Sequence, residues 1–149
     1  MATTRLPRDF KELLKLLNAR DVEYLRIGGY AVGYYGYPRA TADMDLWIAD
    51  NPENADKLVG VIRTFGFDVP NLSAELFLIN DQIASFGAPL LRIEIMTSVS
   101  GIQFHNCYVQ RTIDVIDGVQ VSLISIEHLK ANKQSAGRHK DLDDLEHLA

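Results

Sequence analysis

Two aspartates one residue apart stand inside an otherwise apolar run, Asp43-Met44-Asp45-Leu46-Trp47-Ile48. Side chains alternate along an extended strand, so Asp43, Asp45 and Trp47 share one face while Met44, Leu46 and Ile48 share the other. At a rise of ~3.3 Å per residue, the two carboxylates sit roughly 6.5–7 Å apart. A strand of this kind must bury its apolar face and find something for its acids to do. Thirteen residues upstream, Gly28-Gly29 closes a second strand-like run, Glu23-Tyr24-Leu25-Arg26-Ile27. A glycine pair between a strand and a helix lets backbone N–H groups approach a phosphate closely, and the positive end of the following helix points there too.

A third acid is available downstream. In Leu91-Arg92-Ile93-Glu94-Ile95-Met96, the residues Leu91, Ile93 and Ile95 alternate with Arg92, Glu94 and Met96. Glu94 is therefore the acid on the less apolar face of a strand that can lie beside the first. Three clustered carboxylates repel one another and each suffers on desolvation. A divalent cation removes both problems, and magnesium suits hard oxygen ligands while keeping waters that a phosphate can replace.

The rest of the chain supplies a frame for these residues. A helix is expected from Pro7 to about Ala19, with Phe10, Leu13, Leu14 and Leu17 on one face. A short helix, Tyr30–Gly36, should start at the glycines. Asn51-Pro52 should open a longer one, closed by Gly66. The segment 71–79 is open between helix and strand. Two hairpins are expected: 82–86 with 90–96, and 108–116 with 119–124 around the turn Asp117-Gly118. Ser125 can cap a helix that Gly137 interrupts, with a short helix resuming at Asp141. Strands and helices mix without strict alternation, which gives an α/β (α+β) class: a mixed, twisted β-sheet flanked by helices, with C-terminal helices. The 149 residues suit a single domain, helical from about 125 to 149.

Composition narrows the function classes. No apolar run approaches the ~20 residues of a membrane span, so no membrane association is expected. The first residues lack the apolar core of a signal peptide, and the one cysteine, Cys107, excludes an intrachain disulfide. A cytoplasmic protein is the expectation, with Cys107 as a small buried hydrophobe. A net charge of −5 argues against nonspecific nucleic-acid coating, although the basic cluster from Lys130 to Lys140 could serve locally for tRNA.

Gly28-Gly29, thirteen residues, then Asp43-Met44-Asp45-Leu46 resembles the signature of the polymerase-β-like nucleotidyltransferase superfamily: hydrophobic-Gly-Gly/Ser, then Asp-hydrophobic-Asp/Glu-hydrophobic. More closely, the chain resembles small bacterial members related to the abortive-infection (AbiEii-type) toxin nucleotidyltransferases. Gly28, Gly29, Ala31, Arg39, Thr41, Asp43 and Asp45 match their glycine-to-aspartate segment, and the stretch 92–104 resembles their third-carboxylate strand. The ending from Leu129 to Leu148 resembles their C-terminal lysine and Gly-Arg-x-Lys-Asp helices. Tyr30 and Glu94 depart from the pattern, which has a small polar residue and an aspartate there.

The resemblance implies a nucleotidyltransferase-like fold binding an NTP, ATP among them, with Mg2+ or Mn2+. Asp43 and Asp45 would be metal ligands. Glu94 would be the third acid and metal ligand, activating an acceptor hydroxyl. Gly28 and Gly29 would hold the triphosphate, in a nucleotide-binding segment that includes Arg39 and Thr41. Lys133 would reach phosphate from the C-terminal helix, with Asp141 nearby and Lys130 as a rival. Arg39 would either steady the aspartates or contact nucleotide. The acceptor stays open between RNA such as tRNA, a protein side chain and a small molecule such as an aminoglycoside. The alternative is a nucleotide-binding but catalytically silent regulatory protein, or one half of a toxin–antitoxin pair with an antitoxin partner. Tyr30, Tyr34, Tyr35 and Tyr37 suggest a base-stacking or acceptor surface, with at least two of them expected in the core.

Overall fold

The computed structural model describes residues 8–37, 43–67, 70–87 and 92–148. Helix α1 (Arg8–Ala19) buries Phe10, Leu13, Leu14 and Leu17, the apolar stripe expected of it. Helix α3 (Pro52–Phe65) starts where Asn51 accepts the Asn54 N–H through its side chain at 2.9 Å, with Pro52 in the first turn, and it stops at Gly66. Both helices cover one face of a central sheet. There Leu13 and Leu17 of α1 and Leu58 and Ile62 of α3 meet Leu46, Ile93 and Ile95.

The sheet has six strands: β1 (Tyr24–Ile27), β2 (Asp43–Ile48), β3 (Ile83–Phe86), β4 (Arg92–Met96), β5 (Thr112–Ile116) and β6 (Val119–Leu123). Their spatial order is β3-β4-β2-β1-β6-β5. The pairs β1–β2, β3–β4 and β5–β6 are antiparallel, while β2–β4 and β1–β6 are parallel. The mixed sheet with helices is thus the expected fold class. In the β5–β6 hairpin, Asp117 and Gly118 both have positive φ, 52° and 80°. That is the backbone a two-residue turn of the favoured hand requires.

Two segments read differently in the structure. Residues 108–109, expected at the start of a strand, close helix α4 (Phe104–Val109) instead, and the strand begins at Thr112. The reason is an i,i+4 aromatic pair: the Phe104 and Tyr108 rings stack with centroids 5.4 Å apart, and Phe104 also meets Trp47 edge-on. The segment left open between helix and strand forms a 3-10 turn, Ala74–Leu78, anchored by buried Phe77.

Helix α2 (Gly28–Tyr34) follows β1 directly. Ser125 caps α5 (Ile126–Ala136) by accepting the His128 N–H, and Gly137 ends it in the left-handed conformation. Helix α6 (His139–His147) begins two residues earlier than expected, because the Asp141 carboxylate accepts the Arg138 N–H at 3.2 Å and fixes the first turn. Cys107 is buried, its thiol pushed up to about 11 by burial. No helix is long and apolar enough to cross a membrane.

Candidate functional site

The site is built by register. Antiparallel pairing of β1 and β2 sets Ile27 opposite Asp45, so the chain turns into α2 at Gly28 directly against that aspartate. Gly28 has φ +75°, and a Cβ there would collide with the Asp45 carboxylate. Glycine is required twice over, once for its backbone and once for its missing side chain. Parallel pairing of β2 and β4 sets Glu94 opposite Asp45 and Arg92 opposite Asp43, on strands ~4.8 Å apart. Asp43, Asp45 and Glu94 are each half-buried. They collect at the end of the sheet where β1 stops and β2 and β4 begin.

The electrostatics follow from this crowding. The Asp45 carboxyl is pushed up to about 6, chiefly by burial and then by Glu94 and Asp43; Arg26 and Lys140 oppose the shift. One Asp45 oxygen, Oδ1, is buried with no hydrogen-bond partner. An orphaned oxygen among like charges, on a donor set made wholly of carboxylates, fits a divalent cation. Among the described residues, however, no three Asp, Glu, His or Cys side chains converge closely enough to hold a metal ion.

The other sequence candidates separate into distinct places. Gly29 lies in the first turn of α2. Arg39 and Thr41 lie outside the described residues. Lys133 is buried in α5, its ammonium 3.0 Å from Asp144 and 3.4 Å from Asp141 of α6. Arg138 donates from Nε to Asp141 at 2.7 Å and holds that carboxyl below the usual carboxylate range.

The four tyrosines find different partners. Tyr30 is buried in the core. Tyr34 donates to Asp114 at 2.6 Å, and Tyr35 donates to the Ile124 carbonyl at 2.7 Å, tying α2 to the outer hairpin. Tyr37 donates to Asp143 at 2.9 Å while its ring stacks on His147, 3.9 Å away and 9° from parallel. Helix α6 is thereby fastened beside α2.

Two residues near the carboxylates were not singled out from the sequence. Arg26 of β1 is 1% exposed, with its guanidinium carbon 3.5 Å from the Tyr30 ring centre and its Nε and Nη1 without partners. Its burial lowers its pKa to about 10. A lone arginine within a four-residue apolar strand was the available signal. Lys140, in the first turn of α6, is exposed and contributes positive potential at Asp45. It was hidden in a tail whose mixed charges read as a solvated helix face.

Known structures share the architecture. A provisionally named nucleotidyltransferase from Thermotoga maritima superposes with a TM-score of 0.63 at 16% identity, covering 93% of this chain and 89% of its own. The lincosamide antibiotic adenylyltransferase LnuA, bound to lincomycin, superposes at 0.56 and 14% identity over 96% of both chains. ANT(2")-Ia in complex with adenylyl-2"-tobramycin gives 0.55 and 17%, covering 92% and 83% respectively. At these identities the likeness establishes the fold. No curated protein matches the sequence. The sequence does match, over residues 7–149, the family described as "nucleotidyl transferase of unknown function" (DUF2204), and the chain belongs to that family of nucleotidyltransferases.

Proposed function

We propose that this protein transfers a nucleoside monophosphate, AMP first among the candidates, from an NTP to a hydroxyl on a small organic acceptor. The observation that carries the reading is the packing of Gly28 against Asp45, with Glu94 beside it on the next strand. A carboxylate is thereby held at the mouth of a strand–helix turn. Asp43 and Asp45 would offer carboxylates to Mg2+ or Mn2+, with Glu94 beside them on the next strand; the cation would supply charge neutralisation at the triphosphate and a more acidic acceptor hydroxyl. The backbone at Gly28 and Gly29 admits the phosphates without a side chain in the way. Glu94 takes the proton of the acceptor hydroxyl as its oxygen bonds to the α-phosphorus, and pyrophosphate leaves with the electrons of the broken P–O bond. The choice of a small acceptor is supported by the adenylyltransferase LnuA and by ANT(2")-Ia, whose structures hold lincomycin and adenylyl-2"-tobramycin. A cytoplasmic setting goes with this reading.

A second reading keeps nucleotide binding without turnover, as a regulatory or toxin–antitoxin partner. It is favoured by the absence of a convergent metal-holding trio among the described residues and by glutamate at position 94. One experiment separates the two. Purified protein is incubated with Mg2+ or Mn2+ and each α-labelled NTP, with a panel of aminoglycosides and lincosamides, total RNA and cell lysate as acceptors. An Asp43→Ala/Asp45→Ala variant is the control. Label moved to a discrete small molecule by wild type alone supports the enzyme reading. Label moved to RNA or protein overturns the acceptor class, and nucleotide binding without any transfer overturns turnover.

A further inference from the structure

Helices α4 and α5 leave an open cleft of about 690 Å³ between them. That falls within the range of about 300–1,000 Å³ typical of small-molecule sites. The room comes from small residues: Cys107 on α4, Ala131 on α5 and Gly101 in the loop before α4. Its walls are fixed without a ligand. Gly101 has φ +79°, and a Cβ there would collide with the Ser135 side chain, so the loop sits hard against α5. Asn132 of α5 donates to the Ser100 carbonyl at 3.0 Å and pins the same loop. Across the cleft, α4 is braced by Phe104, whose ring meets Trp47 edge-on and stacks on Tyr108. A cleft held in this way needs little ordering to accept a molecule.

The lining sets the chemistry of the occupant. Gln103, Asn106 and His128 supply amide and imidazole groups, each able to donate and to accept. Asn106 Nδ2 lies 3.4 Å from Gln103 Oε1, which presents the two amides together. Ser125 Oγ lies 3.1 Å from His128 Nδ1 and leaves Nε2 to a ligand. Ile102 and Ala131 add an apolar ledge. Among the described residues no carboxylate, ammonium or guanidinium lines the cleft, so a charged ligand would lose water without gaining a counter-charge. The large apolar side chains left exposed, Val109, Ile113 and Val115 among them, do not line it either. That removes the anchors a protein partner would use. Asp43, Asp45 and Glu94 are not part of it. We propose that the α4–α5 cleft is a second binding site, separate from the carboxylates, for an uncharged, hydroxyl-rich small molecule of sugar or glycoside size. Hydroxyls suit its polar groups because each donates and accepts at one atom. The inference does not depend on the nucleotide reading.

The test is NMR titration of the isotopically labelled chain with methyl glucoside and maltose as neutral probes, and with glucosamine and glucuronate as their charged counterparts. The neutral sugars are expected to shift the side-chain amides of Gln103 and Asn106 and the ring of His128. The charged sugars should bind about tenfold more weakly or worse, for want of a counter-charge. Asn106→Ala should weaken maltose about tenfold, as for loss of a hydrogen bond to the ligand. Ala131→Trp should fill the cleft and abolish the shifts while keeping the melting temperature, because position 131 is exposed. Neutral sugars that shift none of these groups, or binding that survives Ala131→Trp, overturn the site. Charged sugars that bind as tightly as neutral ones overturn the ligand class. Shifts of the same groups that grow with protein concentration alone would show a second copy filling the cleft, and would overturn the proposal as well.

Discussion

The Gly28 backbone lies against the Asp45 carboxylate with no room for a methyl group between them. Alanine at position 28 would need the left-handed conformation, φ +75°, and would displace the aspartate as well. The Gly28→Ala variant is expected to lose about 2 kcal/mol or more of stability in urea denaturation. It should also lose Mg-ATP binding. A variant with wild-type stability would show that the turn relaxes freely and that the contact is incidental.

Asp45 gives the fold a definite pH signature in chelator. Its carboxyl is raised to about 6 in the folded protein, so the fold favours the neutral form. Below pH 4 the acid is protonated in both states and contributes no penalty. As pH rises from 4 to 6 the unfolded chain ionises first, and the native state loses relative stability by an upper bound of about 3 kcal/mol. Asp45→Asn carries no such penalty. Its stability advantage over wild type should therefore grow between pH 4 and 6.5 and then level off, as measured by urea melts in EDTA. An advantage that does not vary with pH would contradict the crowding of the three acids.

The Lys133 pair with Asp141 and Asp144 is buried on both sides. Lys133→Met should cost about 3 kcal/mol, since it removes a buried cation that Asp141 and Asp144 share. Hydrogen exchange of α6 amides would report the same event locally. Unchanged protection in the variant would mean that α6 is held by Tyr37 and its apolar contacts alone.

Arg26 and Tyr30 allow a sharper contrast. The Tyr30 hydroxyl is buried without a partner, so Tyr30→Phe should be neutral or slightly stabilising. Tyr30→Leu removes the aromatic face under a desolvated guanidinium and should cost about 2 kcal/mol. Thermal melts of the two variants check this. Equal losses would remove the cation–π contact as the reason for an arginine in β1.

Much of this architecture could be read locally, because its elements are written in short-range patterns. The α1 stripe, the Asn51 cap, the Asp117-Gly118 turn and the face shared by Asp43 and Asp45 depend on spacing alone. The parallel pairing of β2 with β4 does not. It joins residues nearly fifty positions apart, and periodicity showed only that Glu94 was available on the proper face. Helix α4 went unread because six residues carry little period, and its helicity comes from Phe104 packing on Trp47 and Tyr108. Arg26 and Lys140 were missed for opposite reasons. Arg26 sat in an apolar strand whose tertiary partners were invisible, and Lys140 sat in a charge-rich tail where several lysines looked alike.

The Ile27–Asp45 register has a consequence for how such proteins can diverge. Glycine and acid are brought together by pairing across two strands, so the distance between them in space does not depend on how many residues join them in sequence. Lengthening the connection costs only loop entropy, which grows slowly with length. Shifting the strands by one residue would turn both aspartates to the opposite face. The pairing of β1 with β2, and not the length of the chain between them, is therefore what keeps glycine and acid in phase.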